Sequence, residues 1–171
     1  MEIKATTVYD KSRLIRFNHF ISLQKKAFWI FMSVATLGIM GYYTYFTLTY
    51  GFYLKMLMAC SLIVVFDVAC VILHIAMPYF TVKKSRSLDA RVEYTFCDEA
   101  LLTYAKTKYE EENNRTKYSA IKKAVRRGGE LYLFLESNQA FLVDISTLSS
   151  NDADAIKEIL SRHIDEKKIK W

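Results

Sequence analysis

Two ionisable side chains lie in a part of the chain where charge is costly. Asp67 and His74 fall within residues 56–82, a stretch that holds no other charged or histidine side chain. A carboxylate at the centre of a hydrocarbon layer costs about 2.5–3.5 kcal/mol on insertion scales, so Asp67 should be protonated or partnered. Their spacing of seven residues, about two helical turns, places both side chains on one helix face.

Two kinds of chemistry suit this pair. The first is a proton or ion relay through Asp67 and His74, which needs an oligomer because two helices alone cannot enclose a pathway. The second is polar packing that holds helices together. In an antiparallel hairpin that turns near residues 51–52, where Gly51 allows a positive φ, Thr36 lies at the depth of Asp67. Thr36 belongs to a set of small or hydroxyl-bearing positions that permit interhelical hydrogen bonds.

No residue spacing in the chain points to catalysis or to a bound metal. His19, His74 and His163 fall in three separate segments, so they are not expected to form a metal cluster. The chain has no C-x-x-C, no phosphate-binding glycine motif and no G-x-S-x-G turn, and its three cysteines are too few for a disulfide framework. We therefore expect no enzymatic activity, no cofactor and no metal.

The stretch around Asp67 is the second of two long apolar segments. Residues 27–54 hold no charged side chain, and Lys55 separates them from residues 56–82. A helix of roughly 20 apolar residues crosses about 30 Å of hydrocarbon, so each segment is long enough to span a membrane. The first segment exceeds the apolar region of a signal peptide, and we expect it to be retained. The sequence thus predicts a transmembrane hairpin over residues 27–82.

Basic residues flank the hairpin and set its expected orientation. Lys83, Lys84 and Arg86 follow the second segment, whereas the connection carries only Lys55. Five basic residues shortly precede the first segment: Lys11, Arg13, Arg16, Lys25 and Lys26. Basic residues near spans remain in the cytoplasm. We therefore predict a multi-pass protein with both termini cytoplasmic.

The leader, residues 1–26, contains a strand-like and a helical pattern. Charge alternates with small or apolar residues in the first half of residues 2–8, which predicts a short strand, and Asp10 or Ser12 can cap a following helix. The apolar residues at helical spacing are Leu14, Phe17, Phe20 and Ile21. This helix is expected either to lie at the inner membrane surface or to dock on the soluble domain.

From residue 89 onward, the pattern is that of short strands between turns. Predicted turns lie at Asp98-Glu99, Asn113-Asn114, Gly128-Gly129 and Ser137-Asn138. A last amphipathic segment follows the possible helix caps Ser149, Ser150 and Asn151. Five or more strands in hairpin order, closed by one helix, predict an α+β protein. Its residues 89–171 would form a pleckstrin-homology-like (PH-like) antiparallel β domain capped by a C-terminal helix.

Four motifs carry a resemblance to a known family: VEYTF at 92–96, YSAIKK at 118–123, LYLFL at 131–135 and SNQAFLV at 137–143. With the leader and the two apolar segments, they resemble the YcxB-like family of bacterial membrane proteins over nearly the whole chain. The resemblance implies a PH-like fold beside two transmembrane helices in the bacterial inner membrane. It implies no catalytic residues.

Basic residues of the C-terminal domain form a second candidate site. Lys123 and Arg127 are expected on one face of a strand, and Lys122 and Arg126 on the other. With Lys83, Lys84 and Arg86, they are suited to anionic lipid, at about 1 kcal/mol per basic residue near the surface. The alternative is a solvated sheet surface that prevents edge-to-edge aggregation. Nucleic acid is not expected as a partner.

These patterns favour a non-enzymatic protein that is anchored in the lipid bilayer and presents a PH-like domain at the cytoplasmic membrane face. Its expected partner there is an unknown protein or the anionic lipid surface, and an immunity-type role against a membrane-active toxin belongs to this class. The alternative is an oligomeric transport or ion-relay subunit that uses Asp67 and His74. Homo-oligomers are compatible with both hypotheses.

Overall fold

The computed structural model describes residues 2–24, 26–51, 54–85, 87–108, 110–136 and 139–171. The chain divides into two compact units, one of Met1–Leu14 with Ser85–Trp171 and the other of Ile15–Lys84. Antiparallel sheets and four α-helices make up the described part of the chain, so the predicted α+β class is confirmed.

The first sheet of the β unit, sheet A, contains the strands β1 (Ile3–Val8), β2 (Arg91–Phe96), β3 (Ala100–Lys106) and β4 (Glu111–Lys117) in that spatial order. All neighbouring strands are antiparallel. Exposed and buried residues alternate along β1 and β2, so sheet A buries one face, with Tyr94 and Phe96 fully buried. Such alternation is typical of an antiparallel sheet with one solvated face.

The second sheet, sheet B, contains β5 (Lys123–Arg127), β6 (Glu130–Phe134), β7 (Ala140–Asp144) and the two-residue strand β8 (Ile169–Lys170) in the order β7-β6-β5-β8. Strands β5 and β6 form the hairpin predicted at Gly128-Gly129, and Gly128 has the positive φ of 61° that this turn requires. Strand β8 pairs with β5 in parallel.

Helix α4 (Ser150–His163) closes the β unit and completes its core. Its N-cap is Ser149, one of the three predicted candidates, whose side chain accepts a hydrogen bond from the N–H of Asp152. Ile156 and Leu160 of α4 are fully buried and belong to one hydrophobic cluster with residues of both sheets.

Two expectations about the β unit need correction. Asn113 and Asn114 were predicted to form a turn but lie within β4. The turn lies earlier, where the N–H of Thr107 bonds the carbonyl of Glu110 at 2.9 Å, and exposed asparagines are tolerated in β4 because it is an edge strand. The predicted turn at Ser137-Asn138 lies outside the described residues.

The second correction concerns the domain boundary. Strand β1 was assigned to a separate leader, residues 1–26, but all six of its residues pair with β2. The β unit therefore begins before the helices and resumes after them, and is not confined to residues 89–171. The predicted short strand itself is confirmed.

The helices between β1 and β2 are α1 (Lys11–Leu23), α2 (Lys26–Tyr50) and α3 (Leu54–Lys83). Asp10 caps α1 by accepting the N–H of Arg13 at 2.7 Å, and Gly51 follows α2 with a positive φ of 86°. Pro78 lies inside α3, and a proline within a helix tends to end or kink it. The helix does not end there, since α3 continues to Lys83. Proline removes one backbone donor, a loss that a long helix in an apolar bundle tolerates.

By length and composition, one helical segment among the described residues is able to cross a membrane. It is Ser61–Lys83 of α3, and only 6% of its apolar window is buried. The pair Lys11–Leu23 and Phe28–Tyr50, bent by 56°, makes a second candidate if the pair is counted as one span. Helix α2 thus meets this criterion only together with α1, and its second half is rich in tyrosine and threonine.

Candidate functional site

The structure brings Asp67 and Thr36 together within the helical unit. The Thr36 hydroxyl donates to the Asp67 carboxyl oxygen at 2.9 Å and lies equally close, 2.9 Å, to the Met32 carbonyl of its own helix. A hydroxyl carries one proton. The hydroxyl proton is therefore shared between the two acceptors, and the contact with Asp67 links α2 to α3.

His74 has a separate set of partners in the same unit. Its Nε2 lies 2.7 Å from the Ser22 hydroxyl of α1. The ring of Phe28 stacks on the imidazole at 4.5 Å, and Trp29 approaches edge-on at 5.4 Å. Residues from α1, α2 and α3 therefore meet at His74. The sequence predicted His74 as a site residue, but it gave no signal for Ser22 as its partner.

These contacts favour polar packing over a relay. Asp67 bonds α2 and His74 bonds α1, and seven residues of helix separate them by roughly 10 Å along the axis. Each polar group thus has its own hydrogen-bond partner on a neighbouring helix. This is the arrangement expected of residues that fix helix packing in an apolar environment.

The predicted basic residues are divided between the two units. Lys83 and Lys84 are exposed at the end of α3, and Arg86 lies outside the described residues. In the β unit, Lys122 is exposed just before β5, and Arg127 is exposed at its end.

Two basic residues of β5 contact aromatic rings. The Lys123 ammonium lies 5.6 Å from the Phe134 ring, and the Arg126 guanidinium lies 5.3 Å from the Trp171 ring. Contacts of this type are worth about 0.5–1 kcal/mol at exposed sites. They hold the two side chains on opposite faces of sheet B, as the alternation along a strand predicts.

The β5–β8 edge concentrates positive charge. Strand β8 places Lys170 opposite Val125, two residues from Lys123. Partial burial and the nearby Lys170 both lower the pKa of the Lys123 ammonium. An anion placed between these lysines would relieve their repulsion. We name the residues Lys122, Lys123, Arg126, Arg127 and Lys170, which lie on both faces of this edge, the basic strip.

Sequence reasoning missed an ion-pair network around Arg13. This residue was counted among the basic residues that flank the first span, but its guanidinium bonds Glu130 at 3.1 Å and Asp144 on the neighbouring strand. Tyr132 donates a further hydrogen bond to Glu130. The partners lie more than a hundred residues away in sequence, so no local pattern indicates them.

The segment through which the chain leaves the β unit, at Tyr9, is hydrogen-bonded to the segment through which it returns, at Asp89 and Ala90. The N–H of Tyr9 donates to the carbonyl of Ala90 at 2.8 Å, and the N–H of Asp89 donates to the carbonyl of Tyr9 at 3.0 Å. The Thr7 hydroxyl accepts the N–H of Asp144 from sheet B at 2.8 Å. Backbone bonds therefore tie the start and the end of the helical insertion to each other.

A shallow groove of about 490 Å³ lies on the solvent side of α4 and the C-terminal segment. Acidic, basic and aromatic side chains line it, among them Asp154, Lys157, Glu158, Glu166 and Trp171. Small-molecule pockets are mostly apolar, unlike this charged groove, and Trp171 is of a residue type that is enriched at protein interfaces.

Comparisons of the chain with protein-family models, with curated proteins and with solved structures find no match. The resemblance to the YcxB-like family therefore rests on the sequence motifs alone.

Proposed function

We propose that the protein is a membrane-anchored binding protein. Helices α2 and α3 cross the bilayer as a hairpin, and the β unit, with both termini, stays on its cytoplasmic face. The β unit supplies a PH-like scaffold, which presents a basic surface to anionic lipid.

One observation carries the two-span topology: the pairing of β1 with β2. These strands precede and follow the helices, yet belong to one sheet. A sheet is folded on one side of a membrane, so the chain between its strands must cross an even number of times. This parity argues against a single crossing by α3. If α3 crosses, another crossing precedes it.

The position of α1 supports α2 as that other crossing. The first turn of α1 is fixed to the β unit by the Arg13 ion pairs and by the Asp10 cap. Helix α1 therefore begins outside the hydrocarbon, and the 25 residues of α2 remain to span it.

The exposed surface of α3 supports its place in lipid. Leu62, Phe66 and Phe80 are 70%, 66% and 65% exposed, respectively. Apolar surface in water costs about 25 cal/mol per Å². A bilayer removes this cost along the whole helix, whereas the protein by itself buries very little of it.

The architecture of the β unit supports the PH-like scaffold. Sheet A holds four antiparallel strands, β5–β7 form an antiparallel meander, and one C-terminal helix packs on the core. The four strands of sheet A, the three-strand meander of sheet B and the closing helix support the PH-like plan that the sequence predicts. Fold alone identifies no ligand, so the basic strip carries the ligand assignment.

The groove beside α4 favours a protein partner as the second candidate, which includes an immunity-type role. The ion-relay alternative has less support, because Asp67 and His74 each bond a different neighbouring helix.

The topology is tested by measuring from which side of the native membrane tags on the full chain are accessible. Tags before Met1 and after Trp171 should be accessible only from the cytoplasm, and a cysteine at Gly51 only from outside. Termini on opposite sides of the membrane would refute the hairpin.

The lipid contact is tested with Trp171, which lies beside Arg126. The chain has two tryptophans, so Trp29→Phe leaves Trp171 as the sole tryptophan. In nanodiscs with brominated anionic lipid, Trp171 should be quenched, and Arg126→Gln with Arg127→Gln should reduce the quenching. Equal quenching by brominated zwitterionic lipid would contradict a preference for anionic lipid.

A further inference from the structure

Strand β4 is the open edge of sheet A. It pairs with β3 on one side, and none of the described strands lies on the other. Six of its seven residues are exposed. An edge strand of this length presents free backbone N–H and C=O groups, which form a template for another strand.

The charges of β4 are sorted by sign along the strand. Its sequence, EENNRTK, begins with two acids, continues with two asparagines and ends with two bases around a threonine. When two copies of such a strand run antiparallel, the acidic end of one lies beside the basic end of the other. The edge is thus complementary to itself, as a two-fold symmetric interface requires.

The two faces of the sheet limit the possible registers. A two-fold axis perpendicular to the sheet places residues of the same face opposite each other. With the axis at Asn114, all seven residues are paired. The pairs are then Glu111–Lys117, Glu112–Thr116, Asn113–Arg115 and Asn114–Asn114.

Neighbouring registers are disfavoured. An axis at Glu112 or at Arg115 places like charges directly opposite each other, which is destabilising. An axis at Asn113 keeps an acid–base pair but leaves Thr116 and Lys117 outside the seven-residue pairing. The charge order therefore selects a register as well as a partner.

We propose that β4 joins two copies of this chain edge to edge in a continuous antiparallel sheet, with the two-fold axis at Asn114. Glu111 is held beside the edge by Lys106, at 2.5 Å, and by the Tyr104 hydroxyl, at 2.8 Å. Its carboxylate is therefore ordered at the position where it meets Lys117 of the second copy. This interface does not depend on what the basic strip binds.

A charge-exchange pair tests the interface in the full chain in nanodiscs or mild detergent. In a homodimer of the Glu111→Lys variant, the new lysine faces Lys117 of the other copy at both ends of the interface. In a homodimer of the Lys117→Glu variant, the new glutamate faces Glu111 at both ends. Each variant should weaken dimerisation roughly ten-fold or more. A one-to-one mixture restores both acid–base pairs and should dimerise like the wild type.

Matched controls carry the same charge changes at the start of the chain. Glu2→Lys and Lys4→Glu lie beside or in β1, at the opposite edge of sheet A, and should leave dimerisation unchanged. A monomeric wild type at all concentrations would overturn the proposal. So would a mixture of the Glu111 and Lys117 variants that associates no better than either alone.

Cysteine crosslinking tests the register through the distance between opposite residues, and Asn114→Cys does so without a change of charge. Residues directly opposite have Cβ atoms about 4.5–5.5 Å apart, so Asn114→Cys should form a homodimer disulfide under mild oxidation. Chains with Glu112→Cys should crosslink to chains with Thr116→Cys and much less to themselves. Wild type, with its three cysteines, gives the background, and an Asn114→Cys yield no higher than this background would refute the register.

Discussion

Replacing Arg13 with methionine should strongly destabilise the β unit. The Arg13, Glu130 and Asp144 side chains are 12%, 9% and 15% exposed, so the substitution leaves two largely buried carboxylates without their cation. Removal of one member of a buried ion pair costs about 3–5 kcal/mol. Because these groups lie near the surface and keep other hydrogen bonds, we expect a loss of about 2–4 kcal/mol.

The remaining hydrogen bonds set the lower end of this range. Tyr132 still donates to Glu130, and Ser146 still donates to Asp144 through its N–H and its hydroxyl. Neutralising one orphaned carboxylate should therefore recover stability. The double variant Arg13→Met with Glu130→Gln is expected to be more stable than Arg13→Met alone.

The assay is urea unfolding of the full chain in mild detergent, followed by Trp171 fluorescence in the Trp29→Phe background. The matched control is Arg91→Met. Arg91 also faces a carboxylate, that of Glu93 at 3.6 Å, but the two side chains are 64% and 49% exposed. Exposed pairs contribute about 0–1 kcal/mol. An Arg13→Met loss no larger than the Arg91→Met loss would refute a structural role for the network.

The same network predicts a pH dependence. Burial alone would raise the pKa of Asp144, but hydrogen bonds from Ser146 and Arg13 outweigh it and lower the pKa below its usual value. The ionised carboxyl therefore stabilises the fold at pH above the unfolded pKa of about 3.9. This contribution is lost as the pH falls through the lower folded pKa. Without Arg13, the loss of stability below about pH 4 should be smaller.

Three further substitutions test local features, each against a matched control. Gly129→Ala places a Cβ 2.8 Å from the Ser146 Cβ and should lower the free energy of unfolding by about 1–3 kcal/mol in the urea assay. Its control, Gly38→Ala, meets nothing within 4 Å and should cause no loss. Equal losses of stability would contradict the close approach at Gly129. Ser149→Ala removes the α4 cap and should cost about 1 kcal/mol; the same loss for the neighbouring Ser150→Ala would count against it. Thr36→Val removes the bond to Asp67 and should destabilise the helical unit by about 0.6–1.7 kcal/mol in bicelles; Thr44→Val, whose hydroxyl bonds the Met40 carbonyl of its own helix, should have a smaller effect.

Features encoded within a few residues were predictable from the sequence. The positive φ of Gly128 needs a residue without a Cβ, so the hairpin could be located. The Ser149 cap and the apolar face of α4 depend on spacings of three and four residues. The depth of Thr36 relative to Asp67 followed from counting along an antiparallel hairpin, a rule that needs only the position of the turn.

Features that depend on distant partners were not predictable. Asn113 and Asn114 have high turn propensity, but pairing with β3 holds them in a strand. Arg13 carries the same charge as the other basic residues of the leader, and only the fold shows that it faces Glu130 and Asp144. The membership of β1 in sheet A depends on contacts with residues 91–96.

The insertion of the helices between β1 and β2 has an energetic consequence. Closing a flexible loop of roughly 80 residues costs on the order of 4 kcal/mol in chain entropy, and this cost opposes the pairing of Tyr9 with Ala90. A membrane hairpin is not a flexible loop, because the Thr36–Asp67 contact holds its two helices together. Under the proposed topology, insertion of α2 and α3 brings both chain ends to the same membrane face, and most of the closure entropy is then lost before the sheet forms. Weakening the helix contacts should therefore also weaken the β1–β2 pairing, although the two lie in different units.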